Sequence, residues 1–232
     1  VYLTRMREAL EDYESVAGDT HPDNFSYFPF HTQYPGMVRK AVLLGYRHIT
    51  RDTDIEESLA VDIGRQPRDA DFDSREEYEE AIREYMDDLK GTGRYREWYG
   101  RAIEPTVDIS GQVGNWYTGS VHLARLSALR AAAASNIDLA GKRLLVGSYG
   151  SGAQAEIHAE TVQEEWRENV DAIDVDAQLD ARYDLSFEEY ERVHDVHNHD
   201  KEVEVEAFTQ PEAEFVFTGW GRMNERRYEY VE

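Results

Sequence analysis

The chain has 232 residues, 41% of them hydrophobic, enough for one sizeable core. Its 48 acidic and 25 basic side chains leave a formal net charge of -23, which argues against non-specific nucleic-acid binding and against an anionic membrane surface, since both need a basic face. Cysteine is absent, which excludes disulfides, thiolate metal sites and a cysteine nucleophile from this chain.

Residues 1–17 predict an amphipathic helix with Leu3, Met6, Leu10 and Tyr13 on one stripe. This start is neither a signal peptide nor led by Met, and opening inside a helix points to a piece of a longer polypeptide. Residues 18–35 predict a loop punctuated by Gly18, Pro22, Pro29 and Pro35, followed by a helix from about Gly36 to Arg47. Residues 50–73 are acidic and weakly periodic. Ser74 and Glu77 then form a capping-box pattern at the head of a strong helix, which GTG at 91–93 ends.

Gly114 is expected to open a long small-residue helix, NWYTGSVHLARLSALRAAAAS, that packs centrally. KRLLVGSYG predicts a buried strand, Gly150 and Gly152 a tight turn, and AQAEIHAETV a second strand antiparallel to the first. A long acidic helical section is expected over roughly 162–198, then two strands around Gly219–Asn224. The class is α/β, with central helices packed on a mixed sheet. No apolar run reaches the length of a bilayer span. Only Lys40, Lys90, Lys142 and Lys201 are lysines, so 21 of the 25 basic residues are Arg, and the acids are spread along the chain. Evenly spread acid with little Lys fits a surface hydrated at high salt, where screening relieves self-repulsion. A halophile's cytoplasm is the expected setting, and loss of folding at low salt would support it.

Three motifs place a polar side chain at a Gly- or Pro-rich end of an apolar element: FHTQY around His31, GNWYTGS at 114–120 and GSYGSG at 147–152. Such ends face clefts more often than cores. An imidazole at His31, supported by Phe28, Pro29 and Phe30, can donate to a carbonyl oxygen becoming an oxyanion. Asn115 could cap a helix or donate to the same oxygen from the positive end of the helix dipole. Ser151, between two glycines, offers a hydroxyl and neighbouring backbone N–H groups to a carboxylate or phosphate. Taken singly, each also reads as a structural feature: a packed His, a cap, a turn. The Gly-x4-Gly-Lys-Ser/Thr phosphate loop is absent. In HDVHNHD at 194–200, His194, His197 and His199 could share a metal, but a solvated helix end is the better reading and no metal site is expected.

In order, FHTQYPGMVRKA, GNWYTGS, SYGSGAQAE, DLSFEEYERVH and LAGKRLLVGSYGSG resemble motifs of hydroxymethylglutaryl-CoA synthase, a thiolase-superfamily condensing enzyme, over nearly the whole chain. The resemblance implies a thiolase-like layered fold, with residues 1–232 as its C-terminal half. It also implies a reaction of acetyl-CoA with acetoacetyl-CoA, in the mevalonate route to isoprenoids. His31 would stabilise the alkoxide growing on the acetoacetyl ketone, and Asn115 would hold a thioester carbonyl beside it. Ser151 would contact the acyl group, Tyr117 and Tyr34 would line the pocket, and Lys40 with Arg39 would bind CoA. The nucleophilic Cys and the Glu base belong to the family's N-terminal half, absent here. No cofactor is implied beyond the CoA thioester substrates, and a homodimer is. Two positions depart from the family pattern: Gln33 stands where the motif has proline, and Gly36 where it has a basic residue. A ketoacyl synthase or a non-catalytic acyl-CoA-binding subunit are the alternative readings.

Overall fold

A computed structural model of the protein describes residues 1–150, 152–182, 184–191, 203–204, 215–220 and 226–230. The chain forms two compact units, Val1–Ile173 and Asp174–Glu232.

The first unit is organised around a hairpin of β1 (Arg143–Gly150) and β2 (Gln154–Thr161), paired antiparallel from Arg143 opposite Thr161 to Gly150 opposite Gln154. The segment 25–31 runs parallel along the other edge of β1, with bridges at Tyr27–Leu144 and Phe30–Gly147. Its ladder alternates donors: Ser26 N–H to Arg143 O, Leu145 N–H to Tyr27 O, Gly147 N–H to Pro29 O and His31 N–H to Gly147 O at 2.7 Å. Strand periodicity of two then sends alternate residues to opposite faces. Leu145, Phe28, Phe30 and Ile157 join one apolar cluster with Met6 and Leu10 of α1 (Tyr2–Ala17) and Val38, Val42 and Tyr46 of α2 (Pro35–Ile49). Leu144, Val146 and Tyr27 join another, with Val121, Ala128 and Ala132 of α7 (Ser120–Ala134) and Trp166 of α8 (Trp166–Asp171). Helices thus cover both faces of a mixed sheet. Complete burial of Leu145 stabilises this layer by roughly 1.5–3 kcal/mol over exposure.

α1 matches the expected stripe, with Tyr2, Met6 and Leu10 buried and Gly18 closing the helix at φ 67°, a left-handed conformation that suits glycine. Pro35 opens α2, where its missing N–H costs nothing. Residues 50–73, weakly periodic in the sequence, contain α3 (Asp54–Ile63), whose N-cap Thr53 accepts from Ile55 N–H and whose Ile55 and Leu59 are buried one turn apart. Ser74 caps α4 (Arg75–Leu89) by accepting from Glu77 N–H, as expected.

The structure differs from expectation in three places. GTG does end α4, but its Thr92 at once caps α5 (Gly93–Ala102). Gly114 does not open the central helix. At φ 78° it closes α6 (Asp108–Val113), and α7 begins only at Ser120, after a 3-10 turn at Tyr117–Gly119. The helical section expected over 162–198 is broken into α8 and short helices beyond it. The second unit holds α9 (Val175–Asp180), a helical turn at 187–191, and a sheet of β3 (Val203–Glu204), β4 (Phe215–Trp220) and β5 (Arg226–Tyr230) in that order, all antiparallel. The two strands expected at the end of the chain are β4 and β5. His194, His197 and His199 lie outside the described residues.

Candidate active site

His31 continues the edge segment just past its last bridge to β1, so the ladder aims it. Its backbone N–H donates to Gly147 O, and its carbonyl accepts from the Tyr2 hydroxyl at 2.8 Å. The residue is 4% exposed, and its ring lies 5.9 Å from the ring of Tyr149, which in turn meets Tyr2 edge-on at 5.1 Å. Burial lowers the imidazole pKa below the ordinary 6.5, because the charged ring would lose solvation. The same cause raises the Tyr2 hydroxyl well above the usual tyrosine range, keeping it a donor. Nδ1 of His31 is sealed in the protein with no hydrogen-bond partner among the described residues.

Asn115 reaches this place from another element. It does not sit at the head of α7, as expected, but in the linker between α6 and α7. Its Oδ1 accepts from Tyr117 N–H at 2.9 Å and from the Ser120 hydroxyl at 3.4 Å, while Ser120 also accepts from Trp116 N–H. Two donors on Oδ1 fix the amide's orientation and leave Nδ2 as the donor, without a described acceptor. Tyr117 turns through the left-handed region at φ 50°, which the Asn115 bond to its N–H helps hold.

His31, Asn115 and Tyr117 line one cleft of about 190 Å³, with Gln33, Thr118, Tyr149, Gly150, Gly152 and Ala153. Residues from three separate segments therefore converge at the turn end of the β1–β2 hairpin. None of these lining side chains is a carboxylate, lysine or arginine. In a chain of net charge -23, that leaves a place where negative charge can develop without a neighbouring anion. The arrangement offers neutral donors to an oxygen that gains charge.

The other expected site residues stand apart. Tyr34, 49% exposed, is the N-cap residue of α2, and its ring folds over Gly36: a Cβ there would meet it at 2.8 Å. It does not line the cleft. Arg39 and Lys40 are exposed on α2 and do not line the cleft either. Ser151 lies outside the described residues. Among cleft residues, Gln33 and Tyr149 were not singled out as site residues from the sequence. The signal for Gln33 was its spacing of two from His31 on an extended segment, and for Tyr149 its place in the turn motif itself. Tyr2 carried no signal, because its bond to His31 is a tertiary contact. No group of three or more His, Cys, Asp and Glu able to hold a metal ion occurs among the described residues.

Residues 1–220 match the family described as hydroxymethylglutaryl-coenzyme A synthase C terminal. The chain is 74% identical over its full length to a hydroxymethylglutaryl-CoA synthase of Haloferax volcanii, covering 52% of that protein. It is 27% identical to the hydroxymethylglutaryl-CoA synthase erg13A of Aspergillus fumigatus, over 82% of this chain and 39% of that one. Among solved structures, MvaS in complex with 3-hydroxy-3-methylglutaryl coenzyme A matches all of this chain and 50% of its own, with TM-score 0.66 and 24% identity. PksG from Bacillus subtilis matches to the same extent, with TM-score 0.64 and 20% identity, so the thiolase-like fold is shared. The chain spans about half the length of the relatives it matches.

Proposed function

Because this chain belongs to the C-terminal family of hydroxymethylglutaryl-CoA synthases, we propose that it is one half of an enzyme that condenses acetyl-CoA with acetoacetyl-CoA to 3-hydroxy-3-methylglutaryl-CoA and CoA. The observation that carries this reading is the convergence of His31 and Asn115 on one uncharged cleft. In the proposed reaction an N-terminal half supplies a Cys, which takes the acetyl group and releases CoA. A Glu of that half removes a proton from the acetyl methyl. The resulting carbon nucleophile attacks the ketone carbon of acetoacetyl-CoA, and the ketone oxygen becomes an alkoxide that is then protonated. Water finally cleaves the thioester to the Cys, giving the free carboxylate.

The residues of this chain act on the oxygens. The lowered pKa favours a neutral His31 ring at neutral pH, with one N–H to donate. With Nδ1 sealed and unpartnered, a proton on Nε2 leaves the less costly bare lone pair inside. Nε2–H then donates to the ketone oxygen, most strongly as it becomes an alkoxide. Asn115 Nδ2, oriented by the bonds to Oδ1, donates to the thioester carbonyl. Ser151 contacts the acyl chain, Tyr117 lines the cleft, and Lys40 with Arg39 meets the CoA portion outside it. No metal or further cofactor takes part. The assembly is a homodimer in the cytoplasm, as the resemblance and the evenly acidic composition suggest.

The test separates the half-reactions in a protein that joins this chain to the N-terminal half. His31→Ala and Asn115→Ala are expected to retain acetyl transfer from acetyl-CoA to the Cys, and to lower the rate of condensation about 10²- to 10³-fold, as loss of an oxyanion donor does. Condensation at the unaltered rate in both variants would sink the assignment.

A further inference from the structure

His31 and Asn115 do not exhaust the polar groups of the cleft. The segment that carries His31 is extended, and in extended backbone residues two apart point to the same side. The residue between them obeys this alternation. Thr32 is fully buried away from the cleft, with its hydroxyl donating to Phe30 O at 3.0 Å. Gln33 turns back to the side of His31 and lines the cleft with it. It is half-buried, and its carboxamide has no protein hydrogen-bond partner among the described residues while staying open to solvent. It stands at the wall of a small cleft beside the His31 and Asn115 donors and the hydroxyl-bearing side chains of Tyr117, Thr118 and Tyr149.

A carboxamide differs from its two neighbours in one respect. His31 in its neutral form presents a single N–H to the cleft, and Asn115 presents only its Nδ2 because Oδ1 is occupied. Gln33 can present both a donor and an acceptor, since neither end of its amide is committed. The motif resembled by FHTQY has a proline at this place, which would offer neither. We propose that Gln33 is a further substrate-contact residue. Its amide donates to the acetoacetyl ketone oxygen that His31 also holds, and accepts from the hydroxyl that this oxygen becomes after attack. The proposal rests on the condensation reading above, and it places in this chain a contact that follows the reacting oxygen through the step.

The experiment uses the protein that joins this chain to the N-terminal half, and measures steady-state kinetics with acetoacetyl-CoA varied. Gln33→Leu keeps size and removes both hydrogen-bonding ends. It is expected to lower kcat/KM about 3- to 10-fold, the loss of one neutral hydrogen bond, with an unchanged melting temperature. Gln33→Glu keeps the acceptor and replaces the donor with negative charge beside the developing oxyanion. It is expected to lose more than Gln33→Leu at neutral pH and to recover as the carboxyl protonates in acid. Such recovery is a signature that a merely structural role would not give. Unaltered kcat/KM in both Gln33 variants, while His31→Ala lowers condensation about 10²- to 10³-fold, would overturn this proposal and leave the condensation reading standing. Unaltered kinetics in His31→Ala would overturn that reading instead.

Discussion

At the scale of single residues, His31 is fixed by three neighbours of different origin and by its burial. The ladder to Gly147 sets its backbone, the Tyr2 hydroxyl holds its carbonyl, Tyr149 flanks its ring, and burial keeps that ring neutral. Burial has a consequence for stability with a definite sign. An unfolded chain binds the proton near pH 6.5, while the folded ring binds it only at lower pH. Between those two values the unfolded state carries more protons, so stability falls as pH drops below 6.5 towards the folded value and is complete above it. Denaturant unfolding at pH 7.5 and 5.5 should therefore show a loss on acidification that is smaller in His31→Gln than in the native chain. An equal loss in both would contradict a buried neutral His31. The motif alone identified His31 and Asn115 as candidates, because their residue types and turn contexts are local. It could not show that Gln33 shares their cleft or that Tyr34 does not. Those facts depend on which way an extended segment faces and on a ring folding over Gly36.

At the scale of elements, the site is a product of how the edge segment lies on β1. Gly147 is the point of closest approach. A Cβ at that position would meet Met6 Cε at 2.5 Å and the Phe30 ring at 2.7 Å, so any side chain there must displace the Met6 tip and the Phe30 ring of the edge segment. Its carbonyl also receives the His31 N–H. Gly147→Ala is expected to cost about 1–3 kcal/mol by overpacking, and to lower activity beyond what the stability loss explains, because it shifts the segment that aims His31. Thermal melts with kinetics on the same samples check this; a variant of native stability and activity would contradict the close approach. The hairpin of β1 and β2 was legible from its alternation and its glycine turn. α3 was not, since the acids around Ile55 and Leu59 mask a short apolar stripe, and tertiary burial rather than local pattern sustains it. Gly114 misled because glycine punctuates both ends of helices; its φ of 78° reveals an end, and only the folded chain gives that angle.

At the scale of the whole molecule, a layered helix–sheet–helix unit carries donors for an oxyanion and, with no cysteine anywhere, no thiol to form an acyl-enzyme. The lack of cysteine and the family match over residues 1–220 fit one another when the nucleophile is assigned to a second half. The acidic surface is spread over the chain, and the cleft is the place from which carboxylates are absent among the described lining residues. On the function proposed above, this chain condenses nothing alone and completes the enzyme only when joined to the half that carries the nucleophile. The most direct measurement is release of free CoA from acetyl-CoA and acetoacetyl-CoA, by this chain alone, by this chain joined to the N-terminal half, and by the joined protein carrying His31→Ala. No turnover is expected from the chain alone, turnover is expected from the joined protein, and removing the imidazole is expected to lower it about 10²- to 10³-fold. Turnover by the cysteine-free chain alone, or full activity without His31, would contradict that function.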